Sequence, residues 1–276
     1  MGHIQNRLIS AARSCWYGVY EKARLRSERL EHGQPWRWNY GAEPRVSILI
    51  PSYARPTLLV DRCLSSIAAQ TYKNIEIVIG NHGADRATDS AAWDACRSMW
   101  ERGEIRDWFI LPVPRRRTYP PTAENHWLAG PVDPLNAALK VAKGAWLARI
   151  DDDDTWTPDH VEKLLRFAQA GNYEFVSSAY ATDERVIGAE RGIGGTQTWL
   201  WRSYLKFMRW NPDCWRKSWN RVNDMDLAER FRRAGVRIGY LDAVTATVSP
   251  RPGETHVGSK AYLADPAKTE ANYKFG

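Results

Sequence analysis

The sequence predicts an α/β domain with a mostly parallel sheet flanked by helices and preceded by a helical appendage. Apolar, β-branched runs at 45–51 and 75–80 enclose a helical pattern at 58–70. This strand–helix–strand order is typical of parallel strands joined by a right-handed crossover. Further along, a helical pattern at 134–144 leads through a glycine into another apolar run at 146–150. These repeated units indicate an open α/β sheet.

The composition is that of a globular protein without a membrane span. The chain has 276 residues, of which 43% are hydrophobic, and no apolar run approaches the roughly 18 residues of a transmembrane helix. The first residues lack the apolar core of a signal peptide. The four cysteines lack metal-ligand spacing, so we expect reduced thiols in a cytoplasmic protein. The net charge of +7 favours an anionic partner: a nucleotide, a phospholipid surface or a nucleic acid.

The first 44 residues are predicted to form a helix, at 4–32, and a linker, at 33–44, outside the main domain. The helix has six basic and three acidic residues, so its net charge is +3 (six minus three). Its apolar residues recur at near-helical spacing: Ile4, Leu8, Ala11, Cys15, Val19, Ala23 and Leu30. Such a helix can lie on the inner face of an anionic membrane as a peripheral contact. The same pattern also suits a helix that packs on its own domain, or on a second copy in a homodimer.

Four consecutive aspartates, Asp151 to Asp154, follow the third apolar run. Unit charges about 4 Å apart repel by roughly 4 kcal/mol at an effective dielectric constant near 20, so solvent or a divalent cation must take up this charge. Mg²⁺ or Mn²⁺ suits such oxygen ligands, and Mg²⁺ usually binds one or two carboxylates together with substrate phosphates. A solvated acidic turn that caps the next helix is the alternative. Thr157 and Pro158 predict the start of that helix, and Gly171 its end.

The position of the acidic turn indicates a ligand site. In open α/β sheets, ligands bind outside the carboxyl ends of the strands, and this turn follows such an end. The chain has neither a Gly-x-Gly-x-x-Gly fingerprint nor a Gly-Lys-Ser/Thr phosphate loop, which argues against a dinucleotide site and a kinase-type site. If a nucleotide binds here, a metal at the acidic turn must hold most of its phosphate charge.

Four segments, in order, resemble family-2 glycosyltransferases, which have the GT-A fold, a Rossmann-like α/β sheet. Residues 45–53 are similar to the opening strand and loop of that family. Residues 76–83 occupy the place of its second strand, which usually ends in Asp-Asp-Gly. Residues 136–154 are similar to its helix, strand and Asp-x-Asp turn, and residues 223–227 to its acceptor-side Glu-Asp-x-Asp-Leu helix. The resemblance extends over about 200 residues of the chain.

The resemblance implies transfer of a sugar from a nucleotide diphosphate sugar to a hydroxyl group of a glycan or lipid-linked acceptor, usually with inversion at the anomeric carbon. It divides the chain into a nucleotide-sugar-binding half at 45–155, an acceptor-binding half at 156–250 and a flexible tail at 251–276. No nucleic acid is expected as a partner.

Carried over by position, the resemblance also implies a metal site, a catalytic base and a donor site. Asp153 would ligate Mg²⁺ or Mn²⁺ on the diphosphate, and Asp151 would approach the ribose or the metal; the register of Asp152 with Asp154 remains open. Asp224 would deprotonate the acceptor hydroxyl, or alternatively cap its helix. The donor-binding residues would be Pro51, Ser52, Tyr53, Arg55, Asn81, Asn136, Asp151 and Asp152.

Several positions depart from the family pattern. Asn81 replaces the aspartate that usually contacts the base, and an amide both donates and accepts hydrogen bonds, so guanine or thymine becomes an alternative to uracil. Ala54 replaces a common asparagine. A family arginine is absent from the helix before the acidic turn. A diphosphate contact would come instead from Arg149, Arg55 or the basic run at 115–117, which is more typical of a solvated loop.

The predicted acceptor side is rich in tryptophan. Trp199 and Trp201 could stack on sugar rings, and either could equally belong to a packed core. Asp226 would lie on the same side, and His256, in the tail, is a further candidate metal ligand. Two other functions remain as alternatives. A sugar-phosphate nucleotidyltransferase would need a glycine-rich loop after the first strand, and a non-catalytic basic module would bind nucleic acid through stacked aromatic residues.

Overall fold

The computed structural model describes residues 3–32, 43–116, 118–190 and 192–273. Most of the predicted linker at 33–44 therefore lies outside the described residues. Within them, nine strands form one sheet in the order β3-β2-β1-β4-β8-β6-β9-β5, and β7 pairs with β6. The strands are β1 (Val46–Ser52), β2 (Ile75–His82), β3 (Asp107–Val113), β4 (Trp146–Arg149), β5 (Thr155–Trp156), β6 (Phe175–Ala181), β7 (Val186–Ile187), β8 (Leu200–Arg202) and β9 (Ile238–Thr247).

Helices flank this sheet and precede it. The helix after β1 consists of α2 (Pro56–Leu58), a π-helical turn (Leu59–Leu64) and α3 (Ser65–Ala68). The other α-helices of the described part are α1 (His3–Glu31), α4 (Arg86–Glu101), α5 (Ala123–Ala129), α6 (Val132–Val141), α7 (His160–Ala170), α8 (Asn223–Ala234), α9 (Ser259–Ala264) and α10 (Pro266–Asn272).

The predicted strand–helix–strand unit and the α/β architecture are confirmed. β1 pairs in parallel with β2 and β4, and β2 pairs in parallel with β3. Because successive strand residues point to opposite faces, Ile48 and Ile50 enter the core on one side of the sheet and Leu49 enters the core on the other. Beyond β4 the sheet is mixed, since β8 runs antiparallel to β4 and β6. Strands from both predicted halves thus share one sheet.

Several boundaries differ from the sequence prediction, and several elements were not predicted. The helix after the acidic turn begins at His160 rather than Thr157, because the Thr157 N–H donates to the Thr245 carbonyl at 2.9 Å and extends the pairing of β5 with β9. Similarly, α6 begins two residues before the predicted start. α4, β3 and α5 occupy a stretch in which no element was assigned. The N-cap of α4 was a usable signal, since Asp85 Oδ2 accepts from the Thr88 N–H at 2.8 Å.

The N-terminal helix α1 packs on α8, but not through the apolar stripe that the sequence shows. Its inward side includes Glu21, Leu25 and Glu28, all of which are buried. The helix therefore packs on its own domain, one of the three predicted alternatives. The stripe faces outward instead, with large exposed apolar side chains at Ile4, Leu8, Trp16, Val19 and Leu30.

Ion pairs contribute to this interface together with the buried Leu25. Arg230 Nε, from α8, donates to Glu21 Oε1 at 3.0 Å. Nearer the end of α1, Arg29 Nε donates to Glu174 Oε1 at 2.7 Å. Both carboxylates are buried, and a buried charge is tolerated only when it is paired. The inward face of α1 is therefore polar for a structural reason, which explains why its apolar residues lie elsewhere.

Candidate active site at the carboxyl ends of the parallel strands

A cleft of about 330 Å³ opens where β1, β2 and β4 end. These strands are parallel neighbours, so their carboxyl ends meet at one edge of the sheet. The first turn of α8, the C-terminal segment and residues of α5 and α6 supply further parts of its wall. The lining includes Pro51, Ser52, Tyr53, Arg55, His82, Arg115, His126, Arg149, Asp151, Asp152, Asp153, Asp154, Asp224, Arg251, His256 and Tyr273.

Asp152 holds the loop that follows β1. Its Oδ2 accepts hydrogen bonds from the Ser52 hydroxyl at 2.8 Å and from the Tyr53 backbone N–H at 3.3 Å. Arg55 Nη1 donates to its Oδ1 at 3.1 Å. The side chain is buried, and these three donors use most of its accepting capacity. Asp152 therefore positions the loop residues that line the cleft.

Asp151 and Asp153 are the aspartates of the turn that remain partly open to the cleft. Their side chains are 31% and 21% exposed, whereas the other two aspartates are buried. Arg149 Nη2 donates to Asp151 Oδ1 at 2.9 Å, and Arg55 Nη1 lies 3.4 Å from Asp153 Oδ2. Burial, reinforced by the charge of Asp152, raises the pKa of Asp153 to about 6. The arginines thus balance only part of the repulsion among the four carboxylates of the turn. The turn therefore still attracts a further cation.

Asp224 lies in the first turn of α8 and lines the same cleft. Its Oδ1 accepts a hydrogen bond from the Met225 N–H at 2.7 Å. Burial raises the pKa of Asp224, the guanidinium of Arg149 opposes that rise, and the charge of Asp151 adds to it. Arg149 therefore acts electrostatically on both carboxylates. A partly exposed carboxylate with a raised pKa has the properties of a general base.

His82, rather than Asn81, faces the cleft. Asn81 is fully buried, and its Nδ2 donates to the Asp85 carbonyl at 2.8 Å and to Asp89 Oδ1 at 2.7 Å. The predicted base contact through Asn81 is therefore wrong, because alternation along β2 turns the next residue to the ligand side. His82 Nε2 is buried and has no hydrogen-bond partner among the described residues. Burial, assisted by Arg115, lowers the pKa of His82 to about 3, so the ring is neutral.

Asn136 does not reach the cleft either, so its predicted donor contact is also wrong. Its Nδ2 donates to the Trp210 carbonyl at 2.9 Å, and its Oδ1 accepts from the Trp210 N–H at 3.0 Å. The amide thus pairs with one peptide unit as a backbone group would. This pairing ties α6 to the segment before α8, and Asn136 is not among the residues that line the cleft.

The two tryptophans predicted to bind acceptor belong to the core, and this prediction is wrong as well. Trp199 and Trp201 are both about 2% exposed. Trp199 Nε1 donates to the Gly194 carbonyl at 2.9 Å. The ring of Trp201 packs edge-on against Trp210, with ring centroids 6.0 Å apart. Large aromatic rings fill the core under α8. Composition alone could not decide between this position in the core and a position on the acceptor side.

Asp226 is also buried, against the prediction that it lies on the acceptor side. It accepts from Lys217 Nζ at 2.6 Å and from Arg230 Nη1 at 3.3 Å. Residues two apart on a helix do not share a face. Because Asp224 faces the cleft, Asp226 is turned into the interior, where two cations balance its charge.

The C-terminal segment contributes residues that local sequence patterns did not assign. The ring of Tyr273 stacks on Tyr53 and on His126, with centroids 5.2 and 5.4 Å away. Arg251 Nε lies 3.9 Å from Asp153 Oδ2. His256 lines the cleft and is exposed there, and its role as a metal ligand stays a prediction. Only the folding of this segment over the strand ends brings these side chains to the acidic turn.

Arg115 corrects the expectation of a solvated loop at 115–117. Its side chain is buried in the cleft wall, and its guanidinium carbon lies 4.4 Å from the centre of the Tyr53 ring. Such a cation–π contact holds the Tyr53 ring in place. A run of arginines carries no local signal that distinguishes a buried member from a solvated one. Arg117 lies outside the described residues.

The side chains at the acidic turn fit a divalent cation that takes most of its ligands from a substrate. Within the described ranges, no three His, Cys, Asp or Glu side chains form a group that could hold a metal ion. Asp151 and Asp153 nevertheless present two partly exposed carboxylates, and Mg²⁺ commonly binds one or two carboxylates together with substrate phosphates. His256 lines the same cleft and is available as a further ligand.

Comparison with known proteins identifies the family. Residues 123–221, which include the acidic turn, match the model of glycosyl transferase family 2. The chain is 31% identical over 143 residues to the Escherichia coli UDP-Glc:alpha-D-GlcNAc-diphosphoundecaprenol beta-1,3-glucosyltransferase WfaP, an alignment that covers 51% of this chain and 48% of WfaP. It is 33% identical over 204 residues to the putative glycosyltransferase EpsH of Bacillus subtilis, which covers 73% of this chain and 53% of EpsH. The chain belongs to glycosyltransferase family 2.

Solved structures show that this family-2 glycosyltransferase has the GT-A fold. The mannosyltransferase PcManGT from Pyrobaculum calidifontis, in complex with GDP-Man and Mn²⁺, superposes with a TM-score of 0.58 at 16% identity and covers 86% of this chain and 69% of PcManGT. Residues 1–349 of S. aureus TarS, in complex with UDP-GlcNAc, superpose with a TM-score of 0.55 at 17% identity, covering 76% and 60%.

The family-2 chain spans about half the length of the curated relatives it matches, with 48% of WfaP and 58% of the putative colanic acid glycosyl transferase WcaA aligned. In the part of the chain that the structure describes, none of the helices combines the length and the apolar character that a membrane crossing requires.

Proposed function

We propose that this family-2 glycosyltransferase moves a sugar from a nucleotide diphosphate sugar to a hydroxyl acceptor, with a divalent cation and with inversion at the anomeric carbon. One observation carries the proposal: a single cleft contains the two partly exposed carboxylates of the acidic turn together with Asp224. Asp151 and Asp153 supply oxygen ligands beside the strand ends, and Asp224 supplies a separate base. Three arginines in the same cleft, Arg55, Arg149 and Arg251, suit a diphosphate.

The donor would lie along the β1 loop and the end of β2. Its base would pack beside Tyr53 and meet the unpartnered ring nitrogen of His82, with Pro51 and Ser52 in the same wall. Asp151 and Asp153 would hold the metal, with His256 as a third candidate ligand. When bound, the metal stabilises as a Lewis acid the negative charge that develops on the leaving diphosphate. The complexes of similar fold with GDP-Man and Mn²⁺ and with UDP-GlcNAc support this donor class.

Asp224 would accept the proton of the acceptor hydroxyl. Its pKa is raised by burial, which makes it a stronger base than an ordinary carboxylate once it is ionised. The deprotonated oxygen would attack the anomeric carbon from the side opposite the departing diphosphate, and such a displacement inverts the configuration. Arg149, which binds Asp151 and whose charge lowers the pKa of Asp224, would favour the ionised form of Asp224 despite its burial.

A glycan or lipid-linked acceptor belongs to the same proposal, as does a cytoplasmic site at the inner face of the membrane. WfaP is named for a sugar on diphosphoundecaprenol, and WcaA for colanic acid biosynthesis. Both names support glycan assembly as the process in which this chain acts.

A thermal-shift screen of UDP-, GDP-, dTDP- and CDP-sugars, with and without Mn²⁺, should identify a donor that stabilises the protein mainly when the metal is present. Transfer from that donor is then assayed by mass spectrometry on lipid-linked and free glycan acceptors. Asp224→Asn should lower turnover about 10²–10⁴-fold and leave donor affinity near that of the wild type. Asp183→Asn, an exposed carboxylate outside the cleft lining, is the matched control and should transfer normally.

The proposal is overturned if no nucleotide sugar stabilises the protein, or if Asp224→Asn transfers as well as Asp183→Asn. Retention of configuration in the product would refute the inverting mechanism while leaving the donor assignment intact.

A further inference from the structure

The outer face of α1 is a row of large apolar side chains open to solvent. Ile4, Val19 and Leu30 are 76%, 75% and 73% exposed, and Trp16 is 62% exposed. An α-helix turns 100° per residue, which places these residues on the side of α1 opposite its buried residues. Scattered exposed apolar residues are ordinary, whereas a contiguous patch marks an interaction surface. The outer face comprises Ile4, Leu8, Cys15, Trp16, Val19, Tyr20 and Leu30.

The acidic and the basic residues of α1 differ in exposure. The acidic residues Glu21 and Glu28 are buried against the domain, and the first of them is bound by Arg230. Lys22 and Arg26, by contrast, are exposed, and the 100° turn per residue places them on the same side of α1 as Ile4 and Leu8. Among the carboxylates of α1, Glu31 alone is exposed, at the last helical residue. The outer side of α1 therefore carries positive charge together with its apolar residues.

We infer that this outer face docks on an anionic lipid bilayer, with α1 lying in the plane of the interface. Apolar side chains would enter the boundary between head groups and acyl chains, and the bases would meet the anionic head groups. Trp16 and Tyr20, stacked with ring centroids 5.3 Å apart, are the residue types enriched at membrane interfaces. The buried ion pairs of α1 hold this surface in place before binding, which reduces the entropy lost on docking.

A second copy of the chain suits this face less well. Two identical faces packed against each other would bring the exposed bases Lys22 and Arg26 of both copies together, and like charges repel. An anionic bilayer attracts those same bases. Docking through the outer face of α1 would place the protein at the proposed membrane location, on anionic lipid. This docking does not depend on the proposed transfer chemistry.

Cys15 provides a direct probe, because it is exposed whereas Cys63, Cys96 and Cys214 are buried. A polarity-sensitive fluorophore attached to Cys15 of the full chain should shift to shorter wavelength with vesicles of phosphatidylglycerol and phosphatidylethanolamine. Vesicles of phosphatidylcholine alone should produce little shift. Added salt should weaken the response to the anionic vesicles, because their surface potential is screened.

Sedimentation with the same vesicles separates the apolar from the basic contribution. Trp16→Gln should reduce binding at least about tenfold, whereas Trp93→Gln, at an exposed tryptophan of α4, should not. Lys22→Gln combined with Arg26→Gln should reduce binding about 20–30-fold, at roughly fivefold per base. Lys163→Gln combined with Arg166→Gln, which removes the same charge from α7, should have little effect. All substituted side chains are exposed, so thermal unfolding should confirm intact folds.

Equal binding to anionic and zwitterionic vesicles, or no binding by the wild type, overturns the inference. So does a concentration-dependent dimer that Trp16→Gln dissociates in the absence of vesicle binding, since that result would assign the face to a second copy. Because no donor or acceptor enters these measurements, a failed transfer assay would leave their outcome unchanged.

Discussion

The guanidinium of Arg230, on α8, binds the carboxylate of Glu21, on α1, and both side chains are 3% exposed. Arg230 Nη1 also lies 3.3 Å from Asp226 Oδ2. One buried cation thus connects the N-terminal helix to the helix that presents Asp224 to the cleft. Removal of α1 would leave this cation short of one carboxylate, so the N-terminal helix contributes to the support of the candidate active site.

Glu21→Ala should lower the free energy of unfolding by about 3–5 kcal/mol, the cost typical of removing one partner from a buried ion pair. Urea denaturation measures it. Glu31→Ala, at the exposed end of the same helix, is the control and should change stability by less than about 0.5 kcal/mol. Equal stability of the two variants would show that α1 is not held by this pair.

Asp226→Asn and Asp224→Asn should separate stability from catalysis. Asp226→Asn leaves the buried cations Lys217 and Arg230 less well balanced, so we expect a stability loss of at least about 2 kcal/mol. Burial already disfavours the charge of Asp224, so Asp224→Asn should retain wild-type stability and lose turnover. Denaturation and transfer assays on both variants check this. A stable Asp226→Asn variant without activity would move the catalytic base to Asp226.

Nucleotide diphosphate binding should depend on metal through Asp153. With Mn²⁺, Asp153→Asn should weaken binding by at least about tenfold, or 1.4 kcal/mol, and with chelator it should bind much like the wild type. Asp152→Asn should behave differently, since it loosens the hydrogen bonds to Ser52 and Tyr53 and so weakens binding with or without metal. Calorimetric titration distinguishes the two patterns. Equal affinity of the wild type with Mn²⁺ and with chelator would eliminate metal-dependent binding.

Ala54 adopts a left-handed conformation, with φ of 49°, in the loop that borders the cleft. This conformation costs a residue with a Cβ roughly 1 kcal/mol, and asparagine tolerates it better. Ala54→Asn, which restores the residue common in the family, should therefore raise the free energy of unfolding by about 0.5–1 kcal/mol. Ala54→Val should lower it, because a branched side chain fits this region poorly. Thermal unfolding tests this order of stability, in which Ala54→Asn is more stable than the wild type and Ala54→Val is less stable. The order would be reversed if residue 54 had an extended backbone.

His160 should make stability fall at low pH. Burial lowers the pKa of His160 from 6.5 to about 3, so below the ordinary value the unfolded chain takes up a proton that the native ring does not. The stability gained from this neutral ring is present above the ordinary pKa and is lost as the pH falls. Between about pH 7.5 and about pH 4.5, the wild type should lose about 2–3 kcal/mol relative to His160→Phe. A pH-independent difference between the two unfolding curves would contradict this.

Local sequence patterns predicted those elements whose structure depends on residues close together in the sequence. The branched apolar runs of β1 and β2, the glycine at the end of α7 and the acidic turn after β4 were all identified correctly, because hydrogen bonding and side-chain alternation in these elements are local. Predicted site residues that lie at strand ends reach the cleft for the same reason, while their roles there stay predictions. Ser52, Asp151 and Asp153 follow directly on strands whose parallel order brings their ends together.

Prediction failed where burial depends on segments distant in sequence. Asn136 and Asp226 look like polar ligand-binding residues, yet each is used by a partner from another segment of the chain. The apolar stripe of α1 was identified, but its direction was not, because the residues that bind the buried side of α1, Glu174 and Arg230, are distant in the sequence.

By itself, the sequence determined the family, the parallel strands and the carboxylates at their ends, since these follow from short-range pattern and order along the chain. The tertiary structure alone decided which carboxylates face the cleft, that Arg115 and Tyr273 join them, and that the tryptophans after the acidic turn form core. The physical reason is that exposure and charge balance are properties of the assembled packing. A side chain becomes a potential ligand contact only where the folded chain leaves it both reachable and incompletely paired.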